Sequence, residues 1–237
     1  MLLILAFAAG VLRGYSGFGF SMVLALGLLS ICTPAQAIPV VLLLDLLCSV
    51  SLWRGAGRTF HRGIGWRLIV GMLLAVPVGS LALARLPEQW MASVVALLCL
   101  VGGVLVLMRQ PVAGGRPLTT RWALPAGLVS GLVTAMASAG GPPVVVYLLR
   151  SGLPAASVRG TAIVFFAVSD VLALVSLWAL QALGSEHLSM ALGLLAPALL
   201  GNVLGQLLFR RKPLALHGVI GSVLVLLSAA SLAKALL

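Results

Sequence analysis

Long apolar runs follow one another along almost the whole chain, and they limit the fold more than any other feature. Most are about 18–23 residues long, the length that a helix needs to cross the hydrocarbon core of a bilayer. Only 8% of the residues are charged, whereas soluble domains carry roughly 25%. The sequence therefore predicts an all-α integral membrane protein without a soluble domain. The apolar segments lie at 2–13, 18–32, 36–53, 67–84, 89–108, 122–137, 142–150, 160–182, 188–209 and 215–233.

The basic residues are concentrated in some of the short loops between these segments. They occur at 54–67, 109–121, 150–159 and 210–212. The loops at 85–88 and 184–187 have no such excess. By the positive-inside rule the basic loops are cytoplasmic and the other two lie outside. This explains the net charge of +11 without a nucleic-acid partner, and we expect none.

The segment 122–150 lies between two loops assigned to the cytoplasm. A single crossing cannot return to the side that it left, so we predict a hairpin of two short helices. Its apex is "SAGGPP" (138–143). Arms of about 10–16 residues, at 1.5 Å per residue, reach about half-way to four-fifths through a 30 Å core. The break is therefore expected near the middle of the membrane.

Short matches, kept in the same order, divide the chain into two similar halves. Three pairs of segments match: 10–20 with 131–141, 33–38 with 153–158, and 51–53 with 176–178. They indicate a duplication with a period of about 120–125 residues.

Each half is then predicted to contain one broken hairpin and three full spans. Because three is odd, the second half lies upside-down relative to the first, which is the inverted-repeat plan of many secondary transporters. The first repeat is 1–108, with hairpin 2–32 and spans 36–53, 67–84 and 89–108, and a cytoplasmic linker follows at 109–121. The second repeat is 122–237, with hairpin 122–150 and spans 160–182, 188–209 and 215–233. The first hairpin is placed by its symmetry with the second.

Glycines interrupt both hairpins at membrane depth, where irregular backbone is tolerated only if it is buried in protein or lines an aqueous cavity. New helices are expected to begin at about Phe18–Phe20 and Pro142–Val144, and helix N-termini carry free N–H groups and partial positive charge. Arg13 adds a full positive charge. All of these groups attract anions, so we predict a site for a small anion. The predicted substrate-binding residues are Arg13, Gly14, Ser16, Gly17, Phe18, Gly19, Ser138, Gly140, Gly141 and Pro142.

Two alternatives to this site stay open. Glycine-rich segments also serve as close-packing surfaces between membrane helices. The side chain of Arg13 could instead extend to a lipid headgroup.

Asp45 and Asp170 are two of only four acidic residues, and each lies mid-span, six residues before an "SLW" triplet. A carboxylate there costs several kcal/mol unless it is paired or protonated, so it is a functional candidate. One interpretation is coupling, in which the group takes up and releases a proton during transport. The other is a structural partnership with a hydroxyl, a helix end or Arg13.

The three cysteines, Cys32, Cys48 and Cys99, occur singly in or beside apolar segments. Their spacing fits neither a metal site nor a disulfide framework. We predict no metal and no cofactor.

On these motifs the chain resembles the sulfite exporter family of the TauE/SafE type. The resemblance covers the whole chain, with "RGYSGFGFSMVLALGLL" and "TPAQAIPVVLLLD" in one half and "SAGGPPVVVYLL" and "LPAASVRGTAIVF" in the other. It implies a multi-pass permease of a bacterial inner membrane for sulfite, organosulfonates or related oxyanions, coupled to an ion gradient. It also implies that the protein is not an enzyme.

Three other functions are alternatives: an anion channel, a non-transporting membrane subunit, and an intramembrane serine protease. "GYSG" (14–17) fits the G-x-S-G of rhomboid proteases, with Ser16 as nucleophile. Such chemistry needs a histidine base within hydrogen-bond reach, and the sequence places no histidine in mid-membrane. The expected partners are a small anion, the lipid bilayer and protons, and a homodimer stays open.

Overall fold

The computed structural model describes residues 2–87, 90, 93–95, 97–101, 104 and 119–211, and all regular structure within them is helical. Residues 90, 93–95, 97–101 and 104 are helical, and a 3-10 turn spans Thr120–Trp122. The predicted span 215–233 and most of the linker 109–121 lie outside the described residues. The helices with defined ends are α1 (Leu2–Ser16), α2 (Phe20–Leu28), α3 (Pro34–Thr59), α4 (Arg62–Arg85), α5 (Ala123–Ala137), α6 (Gly141–Leu149), α7 (Ala155–Ala179) and α8 (Ser185–Arg211).

Both predicted helix breaks are present. The first separates α1 from α2 at residues 17–19, and the second separates α5 from α6 at residues 138–140. In each half the arms have 15 and 9 residues, or about 22 and 14 Å at 1.5 Å per residue. Both are shorter than the roughly 30 Å of a hydrocarbon core. Within each pair the two arms pack against each other.

Four of the described helices, α3, α4, α7 and α8, are long and apolar enough to cross a membrane. These helices extend a few residues beyond the predicted spans at most of their ends, because polar residues there continue the helix. Large apolar side chains on their outer faces are exposed, such as Leu74 (65%) and Leu200 (66%). Lipid is the solvent in which such faces are stable.

Local sequence explains where several helices begin. Thr33 and Gln36 form a capping box at the start of α3, with Pro34 in the first turn. The ring nitrogen Nδ1 of His61 accepts a hydrogen bond from the N–H of Ile64 at the start of α4.

Glycines let α1 and α8 pack with their backbones in close contact. Gly10 faces the backbone of Ala198 and Asn202, and Gly14 faces that of Asn202 and Gln206. Residue numbers increase together along the two helices, so α1 and α8 run parallel.

The hairpin of the second half packs in the same manner. Along α4, Gly71 faces Leu124 of α5, and Gly79 faces Leu132. Helices α4 and α5 are therefore also parallel. Each hairpin thus packs against the second long helix of the other half.

The first long helices of the two halves, α3 and α7, cross in opposite directions. Gly160 at the start of α7 lies against Thr59 at the end of α3. Leu52, earlier on α3, clusters with Ile163, later on α7. This antiparallel contact brings Asp45 and Asp170 together in the interior.

Candidate functional site

Arg13 lies in the last turn of α1 and is only 1% exposed. Its Nε is 2.9 Å from Oδ1 of Asp45, and Nη1 donates to the carbonyl oxygen of Gly17 at 2.7 Å. Nη2 donates to the hydroxyl of Ser49, and the guanidinium carbon lies 5.3 Å from the centre of the Phe166 ring. Arg13 is therefore an internal cation and does not extend to a headgroup.

A small cavity lies where the two breaks meet. Its free space admits the centre of about one water-sized sphere, about 10 Å³. Gly141 approaches the side chain of Phe18, which brings the second break against the first. The cavity is lined by Arg13, Gly19, Ser21, Met22, Thr134, Ser138, Gly140, Gly141 and Phe166.

Arg13, Gly19, Ser138, Gly140 and Gly141 are thus the predicted site residues that line this cavity. The other predicted residues are not among its lining residues. Pro142, for example, lies in the first turn of α6, where a proline suits a helix start.

In the first break, Ser16, Gly17 and Gly19 hold the backbone in its turn, and of these Gly19 also lines the cavity. The Ser16 hydroxyl lies 2.7 Å from the carbonyl oxygens of Leu12 and Phe18. Gly17 and Gly19 have φ angles of +82° and +89°, a region that only glycine adopts at low cost.

Gly14 serves helix packing, since its Cα lies against the backbone of Asn202. Its carbonyl oxygen accepts a hydrogen bond of 2.7 Å from Nη2 of Arg159. The guanidinium carbon of Arg159 lies 4.5 Å from the centre of the Phe209 ring. The close-packing alternative therefore describes Gly14, while the cavity is lined by other residues of the same motif.

The second break has a different local chemistry. Ser138 takes the left-handed conformation, with φ 50° and ψ 25°, at the end of α5. Its buried hydroxyl has no hydrogen-bond partner in the described part of the chain. The hydroxyl of Ser130 donates to the carbonyl oxygen of Gly140 and holds the turn.

The two helix N-termini are not equivalent anion sites. The first turn of α2 carries the N–H groups of Phe20, Ser21 and Met22, which lack carbonyl partners within the helix. In α6 the corresponding turn contains Pro142 and Pro143, which have no N–H to donate. The start of α2 therefore offers more backbone N–H donors than the start of α6.

The two aspartates are both buried but have different surroundings. Asp45 is 1% exposed, pairs with Arg13 and accepts a 2.5 Å hydrogen bond from Ser21. Asp170 is 0% exposed, and neither carboxyl oxygen has a hydrogen-bond partner among the described residues. Asp45 thus has Arg13 as a structural partner, which was one of the two interpretations drawn from the sequence. Asp170 has no such partner among the described residues.

Several residues of the site were not predicted from the sequence. Thr134 aligns with Arg13 in the predicted repeat, and that alignment was the available signal. No sequence signal marked Ser21, Met22 or Phe166, because their place in the cavity depends on helix packing.

The two described histidines, His61 and His187, make hydrogen bonds near the starts of helices. His61 caps α4, and His187 accepts from the N–H of Gly184 and contacts the carbonyl oxygen of Ala35. His217 lies outside the described residues. The Ser16 hydroxyl bonds to backbone carbonyl oxygens, and neither described histidine is its hydrogen-bond partner.

Comparison with known proteins identifies the family. The profile described as sulfite exporter TauE/SafE matches residues 2–232, nearly the whole chain. Searches among curated proteins and among solved structures found no match. The family consists of membrane exporters of sulfite and related sulfur compounds, which agrees with the apolar spanning helices. The chain is therefore a membrane protein that belongs to the sulfite exporter TauE/SafE family.

Proposed function

We propose that this protein is a secondary transporter that moves a small sulfur-containing oxyanion, of the sulfite or organosulfonate type, across the bacterial inner membrane. Transport occurs by alternating access and is coupled to an ion gradient. The observation that carries the proposal is the buried cation Arg13, which lines a cavity between two helix breaks.

The donors around this cavity favour an oxyanion. Arg13 supplies a full charge, the start of α2 supplies backbone N–H groups, and Ser138 supplies an unpartnered hydroxyl. Backbone N–H groups at a helix N-terminus and a guanidinium are both well suited to oxyanion oxygens. Because the free space is small, substrate entry requires the two breaks to move apart.

Helix directions support an arrangement of two inverted repeats. The basic loops place the start of α4 and the end of α8 in the cytoplasm. Since α5 is parallel to α4 and α1 is parallel to α8, the first hairpin enters from outside and the second from the cytoplasm. The antiparallel pair α3 and α7 follows the same rule. Corresponding helices of the two halves then run in opposite directions, as alternating access by inverted repeats requires.

We expect sulfite or an organosulfonate to raise the thermal unfolding temperature of the purified protein. A ligand that binds the native state alone stabilises it by about 2.7 kcal/mol at a concentration of 100 times its Kd. The measurement is a thermal scan with sulfite, sulfoacetate, thiosulfate, sulfate and formate, with sodium chloride at matched ionic strength as the control. A protein that responds to none of these anions beyond the chloride control would contradict the proposed site.

Transport itself is tested in proteoliposomes by counterflow. A carrier moves labelled sulfite faster when unlabelled sulfite is present on the opposite side, whereas a channel does not. Absence of this acceleration would favour the anion channel over the secondary transporter.

Ser138 can be tested apart from Arg13. Ser138→Gly removes a left-handed non-glycine residue, which costs roughly 1 kcal/mol, and it also deletes the hydroxyl. We expect the anion-free protein to become more stable and its stabilisation by sulfite to decrease. Ser138→Ala is the matched control, because it deletes the hydroxyl but keeps the backbone strain. An unchanged response to sulfite in both variants would remove Ser138 from the binding site.

A further inference from the structure

The two halves carry one aspartate each at matching positions, but among the described residues only Asp45 is paired with a cation. Asp45 holds Arg13 through the 2.9 Å ion pair and is also hydrogen-bonded by Ser21. The hydroxyl of Ser49 links the same two residues, since it accepts from Arg13 and donates to the backbone carbonyl of Asp45. This network stabilises Asp45 as an ionised carboxylate.

In the second half this network has no counterpart. Thr134 stands where the repeat alignment places Arg13, and its hydroxyl donates to the carbonyl oxygen of Ser130 at 2.8 Å. Asp170 is fully buried and its carboxyl oxygens have no partner among the described residues. An ionised carboxylate in such surroundings is strongly unfavourable.

Among the described residues, the groups around Asp170 include no cation other than Arg13. The negative charge of Asp45 on α3 repels an ionised Asp170, and the positive charge of Arg13 on α1 attracts it. Arg13, however, is already paired with Asp45. Cys48 on α3 also interacts with both aspartates. Among the other helices packed on α7, α5 has no titratable residue, and the Tyr147 hydroxyl of α6 lies 3.4 Å from the carbonyl oxygen of Thr119. The arginines of α4 lie in its first two turns and at its last residue.

We propose that Asp170, and not Asp45, carries the proton that accompanies the transported anion, while Asp45 stays ionised as the counter-ion that positions Arg13. The assignment rests on the proposed transport function. It separates two residues that the repeat makes formally equivalent.

The charge of the cluster explains why the proton and the anion move together. The charges of Arg13 and Asp45 cancel, so an ionised Asp170, about one helical turn from the cavity-lining Phe166, would leave a net negative charge in this region and repel an anion. Protonation of Asp170 removes that repulsion, and the anion then binds to Arg13 and the donors of α2. An O–H bond forms at the Asp170 carboxylate with a proton from water on the loading side. The bond breaks on the other side, where the proton returns to water as the anion leaves.

Infrared spectroscopy tests this assignment without any transport. The chain has only four acidic residues, and Glu186 is 71% exposed, so few carboxyl groups contribute to the spectrum. Reconstituted wild-type protein near neutral pH is expected to show a protonated carboxylic acid band that shifts in heavy water. Asp170→Asn should lose this band, Asp170→Glu should shift it, and Asp45→Asn should keep it. A wild type without the band, or a band that persists in Asp170→Asn, would overturn the proposal.

Flux measurements test the consequence for coupling. Ethanesulfonate is a suitable probe because it stays ionised near neutral pH, so any proton that moves belongs to the protein. Wild-type proteoliposomes should take up protons with ethanesulfonate, and Asp170→Asn should exchange ethanesulfonate without proton movement. Proton uptake retained in Asp170→Asn, or protons that move opposite to the anion, would refute the assignment. A wild type that moves no ethanesulfonate counts against the proposed function, while the infrared band still decides which aspartate is protonated.

Discussion

Replacement of Arg13 by alanine is expected to reduce sulfite flux in proteoliposomes to the level of protein-free vesicles. Arg13 is the buried cation that lines the cavity, and hydrogen bonds to charged groups contribute about 1.5–3 kcal/mol each. The loss of one such interaction alone lowers affinity about tenfold or more. The measurement is uptake of labelled sulfite by equal amounts of wild-type and variant protein.

Folding must be separated from binding in this variant, because Asp45 loses its partner. Removal of one member of a buried ion pair typically costs about 3–5 kcal/mol. The double variant Arg13→Ala with Asp45→Asn removes the uncompensated charge and should recover part of the lost thermal stability. Its flux should stay at background. A double variant that transports sulfite like the wild type would show that Arg13 is a structural residue only.

Gly14→Ala is expected to produce the second large effect, a marked loss of stability. A methyl group on Gly14 would overlap the backbone of Asn202 and Gln206 on α8, and backbone cannot move aside as a side chain can. Overpacking of this kind costs about 1–3 kcal/mol and occasionally more. The displaced α1 carries Arg13, so flux should fall as well. Thermal unfolding and labelled sulfite uptake measure the two effects.

Gly193→Ala is the matched control for this substitution. Gly193 lies on α8, and nothing stands within 4 Å of a Cβ added there. Alanine favours the helix by roughly 0.5–1 kcal/mol relative to glycine, so this variant should be as stable as the wild type or slightly more so. If Gly14→Ala kept full stability but lost sulfite flux, Gly14 would belong to the binding site and its packing role would be secondary.

The helix breaks were predictable because their causes are local. Glycine permits unusual backbone angles, and proline restricts φ and removes an N–H group, whatever residues surround them. These effects act at positions 17 and 19 and at positions 142 and 143. Loop charge then indicated that 122–150 returns to the side from which it came. The matching arms of the first half followed from the repeat.

The environment of each ionisable group was not predictable in the same way. Sequence symmetry made Asp45 and Asp170 equivalent, yet only Asp45 has Arg13 as its partner. That difference arises because the repeat carries threonine, at position 134, where the first half carries arginine. Whether the carboxyl oxygens then find another donor depends on side chains from other helices.

Residue composition and spacing were enough to predict a helical membrane protein, the positions of its helix breaks, and a cation beside one break. These features depend on residue type and spacing along one segment, since hydrophobicity, glycine and proline act locally. Three features became visible only in the folded chain: the two breaks share a cavity, Gly14 packs on α8 while Gly19 lines the cavity, and Asp170 is buried without a partner among the described residues. These features depend on contacts between segments more than a hundred residues apart, and such contacts are set by how the helices pack.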